Sequence, residues 1–241
     1  VRKEVIRWGK WVVNELKLDG FRMDAVKHIK DEFIAEFLTQ IRATYGEKFY
    51  SVGEYWRNDL EKLKEYLDNV GYKTDLFDVG LHFNMYDASK KKKDYDLREI
   101  FEHTIVAENP MEAVTFVDNH DSQKGSALES KVESWFIPHS YAIILLSKDG
   151  YPCLFYGDYY GVGGEKSPHQ WIIDKLLEVR RLYAYGEQIN YFEDPNIIAI
   201  QRTGRDEWTG CVAVLSNSDE ESEIQIEVGK ERTGQVWQEV T

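Results

Sequence analysis

The segment GFRMDAVKH, residues 20–28, decides the fold class of this chain. It opens as a short apolar run typical of a buried strand, yet it carries Arg22 and ends on Asp24. Lys27 and His28 follow almost at once. Charged side chains avoid a sealed core, so their position indicates that the carboxyl end of the strand leaves the core. We therefore expect the apolar run to form a strand whose end faces a polar site.

Four more strand-like runs begin along the chain, near Phe49, Asp75, Ala113 and Tyr151, and the run at Asp75 extends over residues 75–82. Helix-like stretches lie between most of them. A strand followed by a helix, repeated about every 25 to 40 residues, is typical of the βαβ units that build a parallel sheet. The sequence therefore predicts an α/β protein.

Two of the predicted helices have clear boundaries. The first, within residues 29–46, shows i, i+4 apolar spacing and a stop at Gly46. Its predicted apolar stripe consists of Ile29, Phe33, Phe37, Ile41 and Tyr45. The second opens on Asn58 as its N-cap and ends near Gly71. Its predicted buried face consists of Leu60, Leu63 and Leu67.

The pattern changes after about Gly186, where no helical period survives. Short alternating runs are separated there by turn residues, at 188–192, 196–204, 210–218 and 222–230. Alternation between apolar and polar residues predicts strands with one buried face. We expect a small antiparallel β domain after this point, and we expect it to be incomplete at Thr241.

The composition argues against several partners. A net charge of -13 and a pI near 5.0 leave no basic stripe to neutralise phosphates, so no nucleic acid is expected. No apolar run approaches the roughly 18 residues of a membrane span, so no membrane is expected. Residues 1–25 lack signal-peptide features, but the chain begins with Val1, so a segment upstream stays open. Cys153 and Cys211 are expected to be buried thiols, with a disulfide left open.

Acidic residues stand at the ends of three predicted strands. These are Asp24, Glu54, and the pair Asp118 and Asp121. Because parallel strands open their carboxyl ends onto one face, where (β/α)8 enzymes place catalytic groups, the acids should converge. A single acid after a strand more often caps a helix or pairs in a loop, but three strand-end acids favour function. Asp118 is predicted to be structural and to shape its loop.

Converging carboxylates without a His/Cys metal cluster favour glycoside hydrolysis. One carboxyl protonates the leaving oxygen, and a second attacks the anomeric carbon or activates water. Residues two apart on a strand point to the same side, so Arg22 could hold Asp24 ionised. Glu54 lies next to Tyr55 and Trp56, a setting that suits the desolvated proton donor.

Three motifs carry a resemblance to a known family. GFRMDAVKH, VGEYW at 52–56 and FVDNHD at 116–121 resemble, in order, three signature regions of the α-amylase family of glycoside hydrolases. The resemblance covers essentially the whole chain and looks closest to the bacterial liquefying and cytoplasmic α-amylases. It implies that residues 1–186 are the C-terminal part, about five βα units, of a catalytic (β/α)8 TIM barrel. Residues 187–241 would be a small antiparallel all-β domain.

The resemblance also implies roles for the strand-end residues. Asp24 matches the catalytic nucleophile, Glu54 the general acid/base, and Asp121 the third carboxylate, which stabilises the transition state. Arg22 matches the arginine that orients the nucleophile. His120 matches the histidine that bonds to the sugar beside the scissile bond.

Further positions match substrate and calcium contacts of the family. Lys27 and His28 match residues that contact the sugar on the leaving-group side, and Trp56 would stack on a sugar or simply pack on a helix. The backbone carbonyl of His28 matches a ligand of a structural calcium ion. Most other calcium ligands are expected upstream of Val1, within an N-terminal half of the barrel that would be a partner of this chain.

The function implied by the resemblance is endo-acting hydrolysis of α-1,4-glucosidic bonds in starch, glycogen or maltodextrins, with retention. The first alternative is a glucanotransferase or cyclodextrin-acting enzyme of the same family. The second is a non-catalytic carbohydrate-binding relative or an inactive fragment. A cytoplasmic location is expected from the relatives that the chain resembles, with secretion as the alternative.

Overall fold

The computed structural model describes residues 1–206 and 209–241. The helices in these residues are α1 Arg2–Leu16, α2 Asp31–Tyr45, α3 Leu60–Asn69, α4 Val79–Lys91, α5 Ile105–Glu108, α6 Ile137–Leu146, α7 Tyr156–Tyr160 and α8 Gln170–Leu182. The strands are β1 Gly20–Met23, β2 Tyr50–Gly53, β3 Asp75–Phe77, β4 Ala113–Phe116, β5 Tyr151–Cys153, β6 Gly161–Val162, β7 Glu165–Lys166, β8 Gln188–Tyr191, β9 Ile197–Arg202 and β10 Cys211–Ser216.

The first five strands form one sheet in the order β1-β2-β3-β4-β5. β1 and β2 pair in parallel, from Gly20 opposite Tyr50 to Met23 opposite Gly53. The pairs β2–β3 and β3–β4 are parallel as well. The spatial order of the strands equals their order in the chain, as successive βαβ units require. The five predicted strands and the α/β class are confirmed.

The chain forms two compact units, each with its own core. The first unit comprises residues 1–80 and 103–114, and the second comprises residues 81–102 and 115–241. Buried side chains of the first core include Leu38, Ile41, Leu67, Leu76 and Ile105. Buried side chains of the second include Phe116, Phe136, Tyr141, Ile143, Ile173 and Ile198. The predicted domain boundary after residue 186 lies inside the second unit and stays a prediction.

Helix α2 buries a different stripe from the predicted one. Its buried residues are Ile34, Phe37, Leu38 and Ile41. Ile29 and Tyr45 are exposed, and Phe33 is half-buried. The helix begins at Asp31, so Ile29 lies outside it, and a strict i, i+4 series turns about 40° per step, which carries its ends off the buried face. The predicted stop is confirmed at Gly46, with φ 101°.

Helix α3 is capped one residue later than predicted. Asp59, and not Asn58, is the N-cap, and its carboxylate accepts a hydrogen bond from the Lys62 backbone N–H at 3.2 Å. A cap side chain reaches the backbone N–H groups two or three residues ahead of it, which Asp59 does for a helix that begins at Leu60. The predicted buried face of three leucines is confirmed.

The strand-like run that begins at Asp75 is shorter than predicted. It ends at Phe77, and residues 79–82, which the prediction included in the strand, lie in helix α4. A short continuous apolar run does not distinguish a buried strand from a buried helix, which explains the error. Gly80 permits a tight approach at this turn, because a Cβ there would lie 2.7 Å from the His103 carbonyl oxygen.

The C-terminal strands form an antiparallel sheet in the order β10-β9-β8. β9 is buried at all of its positions, and Ile200 lies opposite Ala213 of β10. The predicted strand at residues 222–230 is wrong, because this segment has no regular strand structure. Its alternating pattern offers a face to bury, but a strand also needs a partner with which to pair. Its contact to the sheet is instead through Tyr191, whose hydroxyl donates to the Glu227 carbonyl at 3.2 Å.

Both cysteines are free thiols, so the alternative of a disulfide is excluded. Burial raises the pKa of Cys211 to about 11 and raises the pKa of Cys153. Within the described ranges, the helices are all too short or too polar to cross a bilayer.

Candidate active site

The ends of β1 and β2 carry the first pair of predicted catalytic carboxylates. Asp24 follows β1, is exposed, and forms an ion pair with the Arg22 guanidinium. Glu54 follows β2 and is buried, with 7% of its surface exposed. The expected ion pair between Arg22 and Asp24 therefore forms, and Glu54 occupies a desolvated position at the end of the neighbouring strand.

Ala25 joins the ends of these two strands. Its backbone N–H donates to Glu54 Oε2 at 2.8 Å. The Glu54 backbone N–H donates to the Met23 carbonyl at 2.8 Å, and the Val26 N–H donates to the Glu54 carbonyl at 3.0 Å. Ala25 adopts a left-handed conformation, with φ 48°, which is uncommon for a residue that has a Cβ. These bonds fix the Glu54 carboxylate against the residue that follows Asp24.

Three predicted substrate-binding residues lie in the same part of the first unit. Lys27 Nζ donates to the Trp56 carbonyl at 3.0 Å. Trp56 is 9% exposed, so little of its ring is open to a sugar in this arrangement. His28 is exposed at the end of a 3-10 turn, Val26–His28.

The predicted calcium ligand is the backbone carbonyl of His28. Calcium takes about six to eight oxygen ligands, usually with several carboxylates among them. In residues 1–206 and 209–241 no group of three or more His, Cys, Asp or Glu side chains is placed to hold a metal ion. One carbonyl does not make a calcium site, so the described residues by themselves do not fit this ion.

The third predicted carboxylate and its histidine lie after β4, in the second unit. Asp121 is half-buried, and its Oδ2 lies 3.2 Å from His120 Nε2. Asn119 shapes the turn, because its Oδ1 accepts the backbone N–H groups of Asp121 at 2.8 Å and Ser122 at 2.9 Å. Both predicted side chains therefore sit on one short turn at the carboxyl end of the strand.

Asp118 is buried beneath this turn, with 2% of its surface exposed. Its Oδ1 accepts from Ser122 Oγ at 2.9 Å, and Ser122 Oγ in turn accepts from the Asn119 N–H at 2.9 Å. Its Oδ2 lies 3.2 Å from Lys131 Nζ. These contacts support the prediction that Asp118 shapes the loop.

A second buried carboxylate shares the same lysine. Lys131 Nζ lies 3.0 Å from Asp158 Oδ1, and Asp158 Oδ2 accepts from the Tyr141 hydroxyl at 3.0 Å. Burial and the nearby Asp158 raise the pKa of Asp118 to about 7, against an opposing effect of Lys131. Burial lowers the pKa of Lys131, but its two carboxylate partners outweigh this and the net direction is upward. We call Asp118, Lys131 and Asp158 the buried triad.

Sequence reasoning missed two members of the buried triad. Asp158 follows β5 by five residues in the aromatic stretch YGDYY, and Asp78 directly follows β3, so each strand of the parallel sheet has an acid near its carboxyl end. That shared position was the available signal for Asp158. Lys131 lies in a loop with no comparable pattern, so only the fold reveals it.

Comparisons with known proteins place the chain in one family. The chain matches the family model described as "Alpha amylase, catalytic domain" over residues 1–208. It is 44% identical over all its length to the glucan 1,4-alpha-maltohexaosidase of Bacillus sp. (strain 707), covering 47% of that protein. It is 40% identical to the α-amylase of Bacillus licheniformis, with 48% of that protein covered, and 40% identical to the cytoplasmic α-amylase of Escherichia coli (strain K12), with 50% covered.

Solved structures show the same fold. The α-amylase of Geobacillus thermoleovorans, in complex with acarbose, matches 91% of this chain and 53% of its own, with a TM-score of 0.69 at 21% identity. An Anoxybacillus α-amylase matches 90% of this chain and 52% of its own, with a TM-score of 0.67.

The fold is therefore the C-terminal part of a (β/α)8 barrel followed by a small antiparallel sheet. The chain belongs to the α-amylase catalytic-domain family of glycoside hydrolases. It spans about half the length of the curated relatives that it matches.

Proposed function

We propose that the protein hydrolyses internal α-1,4-glucosidic bonds of starch, glycogen or maltodextrins with retention of anomeric configuration. The observation that carries this proposal is the junction of β1 and β2. There an arginine-paired Asp24 is followed by the residue whose N–H holds the buried Glu54 carboxylate. An exposed, cation-paired carboxylate beside a buried one is the combination that a nucleophile and a proton donor need.

The proposed reaction has two steps. Asp24 attacks the anomeric carbon and forms a covalent glycosyl ester, while Glu54 gives its proton to the departing glycosidic oxygen. Glu54 then takes a proton from water, whose oxygen attacks the same carbon and releases Asp24. Arg22 orients Asp24 through their ion pair, and Asp121 stabilises the positive charge that develops on the sugar.

The proposed substrate contacts follow the same positions. Lys27 and His28 would contact the sugar on the leaving-group side, and His120 the sugar beside the scissile bond. Trp56 stays a proposed stacking residue, for which its ring would need to become more exposed on binding. Calcium at the His28 carbonyl stays a proposal that depends on ligands outside the described residues.

The names of the relatives support an α-glucan substrate. One is called a glucan 1,4-alpha-maltohexaosidase, and the structure of another holds acarbose. Because the chain spans about half of these relatives, we also propose that activity needs the barrel strands that it does not span. The cytoplasmic relative from Escherichia coli supports a cytoplasmic location.

The test is the release of reducing ends from an end-blocked maltoheptaose. The samples are the 241-residue chain alone, the chain mixed with the N-terminal half of the Bacillus licheniformis α-amylase, and the same mixture with Glu54→Gln. We expect release by the mixture that Glu54→Gln abolishes, with the α-anomer as the first product in NMR spectra. Release of the β-anomer would contradict retention, and the absence of release by a folded mixture would favour a non-catalytic binding protein.

The product spectrum decides between hydrolysis and the main alternative. An endo-hydrolase produces shorter linear maltodextrins, whereas a glucanotransferase produces longer or cyclic ones, because a sugar hydroxyl instead of water resolves the intermediate. Chromatography of the products at early times distinguishes the two.

A further inference from the structure

We propose that Lys131 is a positioning residue, which neutralises the buried pair Asp118 and Asp158 and thereby fixes the turn that carries His120 and Asp121. This inference rests on the proposed function, since it assigns that turn to the working site. Lys131 touches no proposed substrate position, so its effect passes through the turn.

The first support is the charge balance of the buried triad. Asp118 and Asp158 are 2% and 3% exposed, and Lys131 Nζ lies within 3.2 Å of a carboxylate oxygen of each. Two carboxylates that are taken out of water cannot both remain charged without a cation close by. Lys131 supplies that cation, and the side chain reaches the triad from a partly exposed position.

The second support is the connection from the triad to the turn. Ser122 Oγ bonds to Asp118 Oδ1, and the same hydroxyl accepts the Asn119 N–H. The orientation of Asp118 therefore sets Ser122, which closes the turn around His120 and Asp121. A shift of Asp118 by one rotamer would break this contact and release the turn.

A buried histidine joins the two segments that carry Asp118 and Lys131. His82 Nδ1 lies 2.6 Å from the Val117 carbonyl, and His82 Nε2 lies 2.8 Å from Ser130 Oγ. Val117 and Ser130 directly precede the two charged residues in the chain. Burial lowers the pKa of His82 to about 4, so it is a neutral bridge at the pH at which the triad is charged.

The charged and titratable groups around the triad come from several elements. They are Tyr141 of α6, His169 before α8, His82 of α4, and the triad itself. Burial lowers the pKa of His169 and raises that of Tyr141, so both are neutral near pH 7. Among the residues that the structure describes, Lys131 is therefore the cation on which the pair depends.

The test is Lys131→Met in the full native protein, which keeps the apolar stem and removes the charge. We expect kcat to fall on the order of 10- to 100-fold with a much smaller change in KM, since a misplaced Asp121 acts mainly on the transition state. The acidic limb of the profile of kcat against pH should shift to higher pH by about one to three units. The reason is that the unpaired carboxylates hold a proton to higher pH. Amide hydrogen exchange at residues 119–122 should become faster.

Three further variants keep the proposal falsifiable. Lys131→Arg should keep kcat and the acidic limb of the pH profile near their native values. Lys91→Met removes an exposed lysine that pairs with Asp87, and it should change neither kcat nor the acidic limb of the pH profile. Ser122→Ala should loosen the turn and raise the acidic limb less than Lys131→Met does, because the Ser122 hydroxyl also lowers the pKa of Asp118 but by less than Lys131. It replaces Lys131→Met if that variant does not fold. Unchanged exchange and an unshifted limb in a folded Lys131→Met would overturn the proposal.

The exchange measurement separates this inference from the proposed function. If the native protein releases no sugar, the proposed function fails, but faster exchange at residues 119–122 in Lys131→Met still supports the positioning role. If the native protein is active and exchange does not respond to Lys131→Met, the positioning role fails alone.

Discussion

Glu54 and Asp118 are both buried carboxylates just beyond the ends of parallel strands, yet their partners differ. Glu54 accepts from the neutral backbone N–H of Ala25, whereas Asp118 shares a lysine with a second carboxylate. A carboxylate with a neutral partner is not committed to an ion pair, so it can take part in chemistry. A group within an ionic cluster is held in place by its neighbours. The difference separates a candidate for chemistry from a candidate for support.

The largest expected effect is the loss of activity when Glu54 is substituted. Glu54→Gln keeps an oxygen that can accept from Ala25, so the fold should be preserved while the proton donor is lost. We expect kcat to fall by about 10²- to 10⁴-fold. Glu108→Gln, which removes an exposed acid that pairs with Lys64, is the matched control. Activity of Glu54→Gln near that of the control would mean that Glu54 is structural as well.

The second prediction concerns the pH dependence of stability at Asp118. Its pKa of about 7, against 3.8 in the unfolded chain, means that the folded state binds an extra proton between these values. The contribution of Asp118 to stability is therefore fully present below pH 3.8 and is lost as the pH rises to about 7.

Asp118→Asn lacks this titration, so its free energy of unfolding relative to the native protein should rise between pH 4.5 and pH 7.5. The size of the change should be on the order of a few kcal/mol. Urea unfolding at the two pH values measures it. A constant difference would show that the lysine and Ser122 fully offset burial.

A third, smaller effect is expected at Arg22, which pairs with the exposed Asp24. Arg22→Ala leaves Asp24 without its ion pair and removes a side chain that is 36% exposed. We expect kcat to fall on the order of 10- to 100-fold, because Asp24 loses its orientation. The free energy of unfolding should change by less than about 1 kcal/mol, as for other exposed ion pairs. Rescue of kcat by added guanidinium would support the orienting role, and an unaltered kcat would contradict it.

The smallest expected effect is at Asp59, an acid with a purely structural role, and it serves as a reference for the other variants. Asp59 caps α3 through the Lys62 N–H and pairs with Arg57 at 3.6 Å, and neither partner is a proposed site residue. Asp59→Ala should cost about 1 kcal/mol of stability and leave kcat unchanged. A loss of kcat in this variant would show that α3 supports the site.

The sequence predicted the parts of this protein that depend on local pattern. The five strands follow from apolar runs, and Asp24, Glu54 and Asp121 follow from acids at strand ends. The stripe of α2 was wrong at Ile29 and Tyr45, because spacing alone does not locate the helix start. The segment 222–230 was wrong, because alternation does not supply a pairing partner.

The buried triad was beyond prediction for a different reason. Asp118, Lys131 and Asp158 come from three separate segments, and no local rule brings a particular lysine to a particular acid. Only the folded arrangement of these three residues shows that the pKa of the Asp118 carboxyl is raised to about 7.

The left-handed Ala25 has a consequence for how this family of sequences can vary. A left-handed conformation costs a residue with a Cβ about 1–2 kcal/mol, while glycine costs about 0.5–1 kcal/mol through its extra freedom in the unfolded chain. The difference favours glycine by at most about 1.5 kcal/mol, so Ala25→Gly should cost no stability. Yet this residue donates the hydrogen bond to Glu54. A change of Ala25 to glycine, in nature or in the laboratory, can thus alter the mobility of the Glu54 carboxylate without a loss of stability.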